Sequence, residues 1–173
     1  MRLGKVVGLL ITANRNVFYG FGVLWIVVVI GVIFLLDVPF GEAIIGGFIL
    51  TLLHYLSELW HQLGHAWAAR RVGYPMIGVR YWWILATSIY PNNEPELPGS
   101  THIKRALGGP GASILLTFIL FILTIVINRF PGYSLLLWVL PLLTLDNLFF
   151  FTLGAFLPLG FTDGSTILRW LWK

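Results

Sequence analysis

Apolar residues are gathered along this chain into four long runs, which polar and turn-forming residues separate. The runs cover residues 17–36, 42–69, 106–127 and 133–157. A helix that crosses a bilayer needs roughly 20 mostly apolar residues, so each run predicts a transmembrane helix. The pattern therefore predicts an all-α integral membrane protein with about four transmembrane helices, folded as one domain over residues 1–173.

A shorter segment between the second and third runs has a different pattern. Residues 76–90 are rich in aromatic and β-branched side chains, which is typical of one or two strands or of an aromatic interface segment. Residues 91–98 are rich in Pro, Asn and Glu and predict a loop. Ser100 or Thr101 is then expected to cap the next helix. We therefore expect a small membrane-associated β element beside the helices.

The overall composition agrees with insertion into a membrane. Hydrophobic residues make up 58% of the chain and charged residues 10%, whereas a soluble domain carries roughly 25% charged residues. A mean hydropathy of +0.87 excludes a water-soluble globular protein. The chain has no cysteine, which excludes a disulfide scaffold and a thiolate metal site.

The positions of the basic residues predict the orientation. Of the 11 Lys and Arg residues, all except Arg129 precede the first run, lie between the second and third, or follow the fourth. Basic residues near membrane helices favour the cytoplasmic side. We therefore expect both termini and the β element on that side. The same distribution indicates the lipid bilayer, and not nucleic acid, as the partner of the positive charge.

Ionisable residues on the second run form the candidate functional site. Their spacing of four, three and four residues places on one helix face His54, Glu58, His61 and His65. Ionisable residues are costly inside a membrane, so they indicate function by default. Hydrogen bonding between neighbouring helices is the alternative explanation.

His61 and His65 have the spacing of a metal site, because residues one helical turn apart can bind one zinc ion. In the H-E-x-x-H motif of metalloproteases, the residue after the first histidine is a glutamate that acts as general base. Here that residue is Gln62. A third ligand must come from another element, and Asp163 is the candidate. A simple Asp-Gly turn at the end of a helix explains Asp163 equally well.

Three separated segments resemble the site-2 protease family of intramembrane zinc metalloproteases. Residues 61–66, His-Gln-Leu-Gly-His-Ala, resemble the family's H-E-x-G-H-A. Residues 109–113, Gly-Pro-Gly-Ala-Ser, resemble its G-P-x-A-N, and residues 158–164 resemble the end of its N-x-x-P-x-x-x-x-D-G. Residues 3–8 resemble the short strand that many members have before their first span.

This resemblance implies a site and a substrate class. It implies that His61, His65 and Asp163 bind Zn²⁺ in a cavity near the cytoplasmic side. The implied substrate is the transmembrane helix of another membrane protein, which must unwind locally. A strand within residues 76–90 is then expected to hold the unwound segment by strand addition.

The chain departs from the family's motifs at three positions. Gln62 replaces the catalytic glutamate, whereas Ala155 and Ser113 replace two asparagines, which weakens polar contacts to the substrate or behind the ligands. An amide cannot accept a proton near neutral pH, and loss of a general base costs roughly 10² to 10⁴ in rate. The family's glutamate is not a ligand, so zinc binding should survive. The sequence predicts a zinc-binding chain that cleaves poorly or not at all, whether Gln62 is natural or introduced.

The other polar residues of the spans are expected to support this site. Side chains tilt towards the N-terminus of a helix, so Glu58 should point away from a metal and bond His61 instead of replacing the missing base. His54 is expected to pair with Glu58 or to line a water path. Asp146 and Asn147 should face the same polar interior, either along a substrate channel or in hydrogen bonds between helices.

Two other functions remain open from the sequence. A natural non-catalytic pseudoprotease would bind membrane proteins as clients without cutting them. A zinc or proton transporter would use the polar face of the second run as an ion path. The first and third runs contain no ionisable residue, which is unusual for a transporter.

Overall fold

Helices make up most of the structure, a computed structural model that describes residues 1–130, 132 and 134–172. The helices are α1 (Asn16–Leu36), α2 (Phe40–Arg71), α3 (Gly99–Ile127), α4 (Ser134–Asp146) and α5 (Asp163–Leu171). A π-helical segment (Asn147–Leu153) and a 3₁₀ turn (Gly154–Phe156) continue α4. The strands are β1 (Arg2–Val6), β2 (Leu9–Ala13), β3 (Gly78–Trp82) and β4 (Leu85–Ile89).

The predicted apolar runs correspond to long helices. Within the described residues, α1, α2, α3 and the segment Ser134–Phe156 are long and apolar enough to cross a membrane. In α2, half of the most apolar window is buried, against 11% in α1 and 17% in α3. The expectation of a mostly helical fold with a small β element is confirmed, and α2 is its central helix.

Two boundaries differ from the prediction. Neither Ser100 nor Thr101 caps α3: the helix follows Pro98, and the Thr101 amide already bonds the Pro98 carbonyl. The fourth run is not one regular α-helix, because α4 changes at Asn147 to a π-helical segment. There the Gly154 amide bonds the Phe149 carbonyl, five residues back. Such insertions of one residue are frequent at functional sites.

The strands form, among the described residues, one sheet in the order β1-β2-β3-β4. β1 and β2 are antiparallel, β2 and β3 are parallel, and β3 and β4 are antiparallel. The single strand expected near the N-terminus is thus a hairpin. The inward residues Leu9, Ile11 and Val79 pack with Ala66 and Ala69 of α2. This packing fixes the sheet against α2 and leaves β4 as an edge strand.

Glycines allow α2 and α3 to pack closely beside the candidate site. A Cβ at Gly64 would overlap the Gly108 carbonyl oxygen, and a Cβ at Gly108 would lie 2.5 Å from the Gly64 carbonyl oxygen. Small residues permit such close approach of membrane helices. Gly64 lies between the two histidines on α2, so this contact also determines how near α3 comes to them.

We predict that Gly64→Ala destabilises the protein, whereas Gly111→Ala does not. A methyl group at position 64 meets the α3 backbone and should lower the free energy of unfolding by about 1–3 kcal/mol. At Gly111 nothing lies within 4 Å of the added Cβ, so the better helix propensity of alanine should be neutral or stabilising. Thermal unfolding in detergent, followed by circular dichroism, measures both. Equal stability of the two variants would contradict this account.

Candidate metal centre

His61, His65 and Asp163 lie together in the structure. The Nε2 atoms of the two histidines are 3.0 Å apart. Asp163 Oδ2 is 3.2 Å from His61 Nε2, and Asp163 Oδ1 is 3.4 Å from His65 Nε2. The histidines are one turn apart on α2, and Asp163 is the first residue of α5, which is 98 positions or more further along the chain. The fold therefore assembles one candidate ligand set for a metal ion.

The far sides of both imidazole rings are hydrogen-bonded by α3. His65 Nδ1 is 2.9 Å from the Arg105 carbonyl oxygen, and His61 Nδ1 is 2.9 Å from Ser113 Oγ. A carbonyl only accepts, so His65 Nδ1 carries the hydrogen, and in the neutral ring Nε2 presents a lone pair. These partners orient both rings, and the Arg105 carbonyl also selects the tautomer of His65, as the outer partners of metal-binding histidines do.

The donor set fits a zinc ion. Two imidazole nitrogens and one carboxylate form a combination found in zinc enzymes, which leaves a fourth position open. Space beside the nitrogens is kept by Gly109, where a Cβ would overlap the Nε2 atoms of both histidines. The glycine of the Gly-Pro segment on α3 is therefore required by the shape of the centre.

Asp163 is positioned by the turn that precedes α5. A Cβ at Gly164 would overlap the Phe156 carbonyl oxygen, so only glycine lets the first turn of α5 pack here. Further along α5, Trp170 stacks on His102 of α3, with ring centroids 4.3 Å apart. Burial would raise the pKa of the Asp163 carboxyl, but the hydrogen bonds and charges of His61 and His65 outweigh it and lower that pKa. The carboxyl is therefore ionised near neutral pH.

Gln62 faces β4 and has a partner for each polar atom of its side chain. Its Nε2 donates to Glu58 Oε1 at 2.9 Å and to the Ala86 carbonyl oxygen at 3.3 Å. Its Oε1 accepts from Ser88 Oγ at 2.7 Å. Glu58 Oε1 also accepts from the Ala86 amide at 3.0 Å. The expectation that Glu58 bonds His61 is wrong. Among the described residues, Glu58 is bonded to Gln62 and Ala86.

His54 is paired with α4 and not with Glu58. Its Nδ1 lies 3.0 Å from Asp146 Oδ2, and its Nε2 lies 3.0 Å from the Ile84 carbonyl oxygen. The carbonyl only accepts, so Nε2 carries a hydrogen and a further proton lies between Nδ1 and the carboxyl. Asp146 therefore faces the polar interior, as expected.

Asn147 lies in the same polar interior, and its Nδ2 donates to Ser57 Oγ at 3.0 Å and to the Leu143 carbonyl oxygen at 3.0 Å. The contact with Ser57 joins the beginning of the π-helical segment to α2. Apart from the local contact of Asn147 with Leu143, the contacts of His54, Asp146 and Asn147 join separate helices or the β3–β4 turn, and they agree with the alternative of hydrogen bonding between elements.

A cavity of about 760 Å³ opens beside the cluster. Its wall includes the three candidate ligands, Glu58 and Gln62, one side of β4, and aromatic residues of the π-helical segment. Ala155, which stands where the family motif has asparagine, also lines it. A peptide segment that entered this cavity would lie between the metal cluster and β4.

Three partners of the site were not predicted from the sequence. They are the Arg105 carbonyl, the backbone of Ala86 and the Ser88 hydroxyl. Backbone groups have no signature in the amino-acid sequence. Ser88 follows Thr87 in a segment rich in apolar and aromatic residues, and nothing in that pattern singles out its hydroxyl.

One solved structure with a similar fold is the site-2 protease from Methanocaldococcus jannaschii. The TM-score is 0.66 and the sequence identity is 24%, and the match covers 99% of this chain and 71% of that chain. This likeness shows that the chain has a site-2 protease fold. No protein-family profile matches the chain, and no curated protein sequence matches it.

We predict that metal binding depends on His61 and, more weakly, on Ser113. His61→Ala removes a ligand and should abolish stoichiometric zinc binding. Ser113→Ala removes the partner of His61 Nδ1 and should lower zinc affinity roughly 10- to 100-fold. Chelator competition on the purified protein measures both. Ser100→Ala, an exposed serine of the same helix, is the matched control and should bind zinc as the unaltered chain does. Zinc binding by His61→Ala equal to that of the control would contradict the ligand assignment.

Proposed function

We propose that this chain is a multi-pass membrane protein of site-2 protease type. It binds zinc through His61, His65 and Asp163 and binds transmembrane segments of other membrane proteins. Its peptide-bond hydrolysis is impaired because Gln62 stands where the general base is expected. The observation that carries the proposal is the joint position of the three ligands on one wall of the cavity, with Gln62 next to them.

The roles of the residues follow from their contacts. A zinc ion at this centre would supply a Lewis acid for a peptide carbonyl. Ser113 and the Arg105 carbonyl hold the imidazoles in the orientation that binding requires. Gln62 donates hydrogen bonds and cannot take a proton from water near neutral pH. The chain therefore binds and orients a peptide segment but lacks a positioned proton acceptor at residue 62.

The proposed substrate or client is a membrane helix that unwinds locally. An unwound segment needs partners for its backbone amides and carbonyls, because these groups are costly to leave unpaired in an apolar medium. β4 forms a wall of the cavity and is an edge strand, which suits pairing with an extended segment. The distribution of the basic residues supports a cytoplasmic position for this end of the molecule, both termini and the centre.

A non-catalytic protein is the second candidate, and the surroundings of Gln62 favour it. The Gln62 amide nitrogen donates to two acceptors, Glu58 Oε1 and the Ala86 carbonyl. A glutamate at position 62 would face both acceptors with oxygen atoms that cannot donate. It would also place a second carboxyl group beside Glu58. The local structure is thus suited to an amide, as expected of a chain that keeps binding and has lost cleavage.

We predict that exchanging residues 58 and 62 restores cleavage. The double variant Glu58→Gln with Gln62→Glu keeps a carboxylate–amide hydrogen bond and moves the carboxylate to position 62. We expect its cleavage rate to exceed that of the unaltered chain by roughly 10² to 10⁴, the usual worth of a general base. Gln62→Glu alone should recover less, because it leaves two carboxylates in contact.

The assay uses zinc-loaded protein in liposomes and a tagged reporter protein. The reporter has one transmembrane helix with glycines at its centre, which weaken the helix there. Adding His61→Ala to the exchanged pair is the control and should abolish cleavage. If the exchanged protein binds zinc and still does not cleave, impaired hydrolysis is not due to Gln62, and the non-catalytic candidate is favoured.

A further inference from the structure

The outer edge of β4 faces α2, and its backbone groups are bonded to α2 side chains. β4 pairs with β3 in an antiparallel register, and the Ile89 carbonyl accepts from Ile77 on the β3 side. Alternate residues of a strand present both backbone groups to the same side. Ile84, Ala86 and Ser88 therefore face outwards, towards the cavity. The outward groups of Ala86 are bonded to Glu58 and Gln62.

Residues of α2 follow this edge at matching intervals. His54 bonds the Ile84 carbonyl, Glu58 bonds the Ala86 amide, and Gln62 bonds the Ala86 carbonyl and the Ser88 hydroxyl. These α2 residues are spaced by four, and their partners, which begin with Ile84 in the β3–β4 turn, are spaced by two. Four residues of helix rise about 6.0 Å, and two residues of a strand about 6.6 Å. The side chains of α2 thus take the place of a neighbouring strand.

We propose that Glu58 and Gln62 form a clasp that occupies the edge of β4 where an extended peptide segment would pair. An incoming segment must displace the clasp to reach both the amide and the carbonyl of Ala86. Gln62 is then an internal competitor for the peptide, besides being unable to act as a base. The inference rests on the proposed function, in which β4 receives an unwound segment.

Gln62 is suited to this role by its chemistry. The Ala86 amide needs an acceptor, which Glu58 supplies, and the Ala86 carbonyl needs a donor, which a carboxylate at position 62 would not supply. A glutamate followed four residues later by a glutamine provides one acceptor and one donor on the same helix face. Both side chains are buried, with Glu58 3% and Gln62 4% exposed, so water does not replace either contact freely.

The test measures peptide binding by variants that open the clasp. Zinc-loaded protein in nanodiscs is titrated with a fluorescein-labelled octapeptide of alternating Val and Thr, which favours an extended conformation. Gln62→Met and Glu58→Met each free one outward group of Ala86. Both should bind the peptide about tenfold more tightly than the unaltered chain, the ratio that 1.4 kcal/mol gives.

Matched controls separate the clasp from general loosening of the site. Ser100→Ala, at an exposed serine of α3 outside the site, should stay within about twofold of the unaltered chain. A second peptide with proline at every other position lacks the amides that pair with a strand and should gain nothing from either methionine variant.

The result expected is a gain for the Val-Thr peptide alone, in both methionine variants. Affinities that stay within twofold, or equal gains for both peptides, would overturn the clasp. Zinc content, measured on the same samples, tests the proposed function separately. A selective gain in protein that does not bind zinc would support the clasp and contradict the proposed metal centre. Zinc binding without the selective gain would support the metal centre and contradict the clasp.

Discussion

The structure depends on how the polar residues of α2 find partners inside an otherwise apolar molecule. Burying an unpaired polar group costs roughly 2–7 kcal/mol, so each such side chain requires a neighbour that bonds it. α3 supplies Ser113 and the Arg105 carbonyl, α5 supplies Asp163, and β4 supplies Ala86. The sheet, the close α2–α3 contact and the irregular end of α4 can all be understood as ways of bringing these partners to one helix.

The two halves of the polar face of that helix have different chemical tasks. The half with His61 and His65 faces a carboxylate and presents lone pairs, which suits a cation. The half with Glu58 and Gln62 faces the backbone of a strand and alternates acceptor and donor, which suits a peptide. A glutamate at position 62 would serve the first task as a base. In the proposed function, the glutamine that is present serves the second.

The helical fold and the pair His61 and His65 could be predicted because they depend on strong local patterns, whereas Asp163 was indicated by the resemblance of residues 158–164 to a family motif. Apolar runs define the helices, and His61 with His65 has a spacing that few other functions require. The partner of Glu58 could not be predicted in this way, because it is the backbone of Ala86. The π-helical segment at Asn147 was equally hidden, since its apolar sequence fits a regular helix and the contact of Asn147 with Ser57 is tertiary.

The different geometries of α2 and β4 limit the number of residues over which the two elements can pair. The two rises differ by about 0.6 Å at each step, and the helix turns by about 40° every four residues. After two steps the contact has slipped by more than 1 Å and rotated by roughly 80°. This explains why Gln62 reaches back to Ala86 and meets only the side chain of Ser88. Among the described residues, the bonds that α2 side chains make to the backbone of β4 are therefore confined to Ala86.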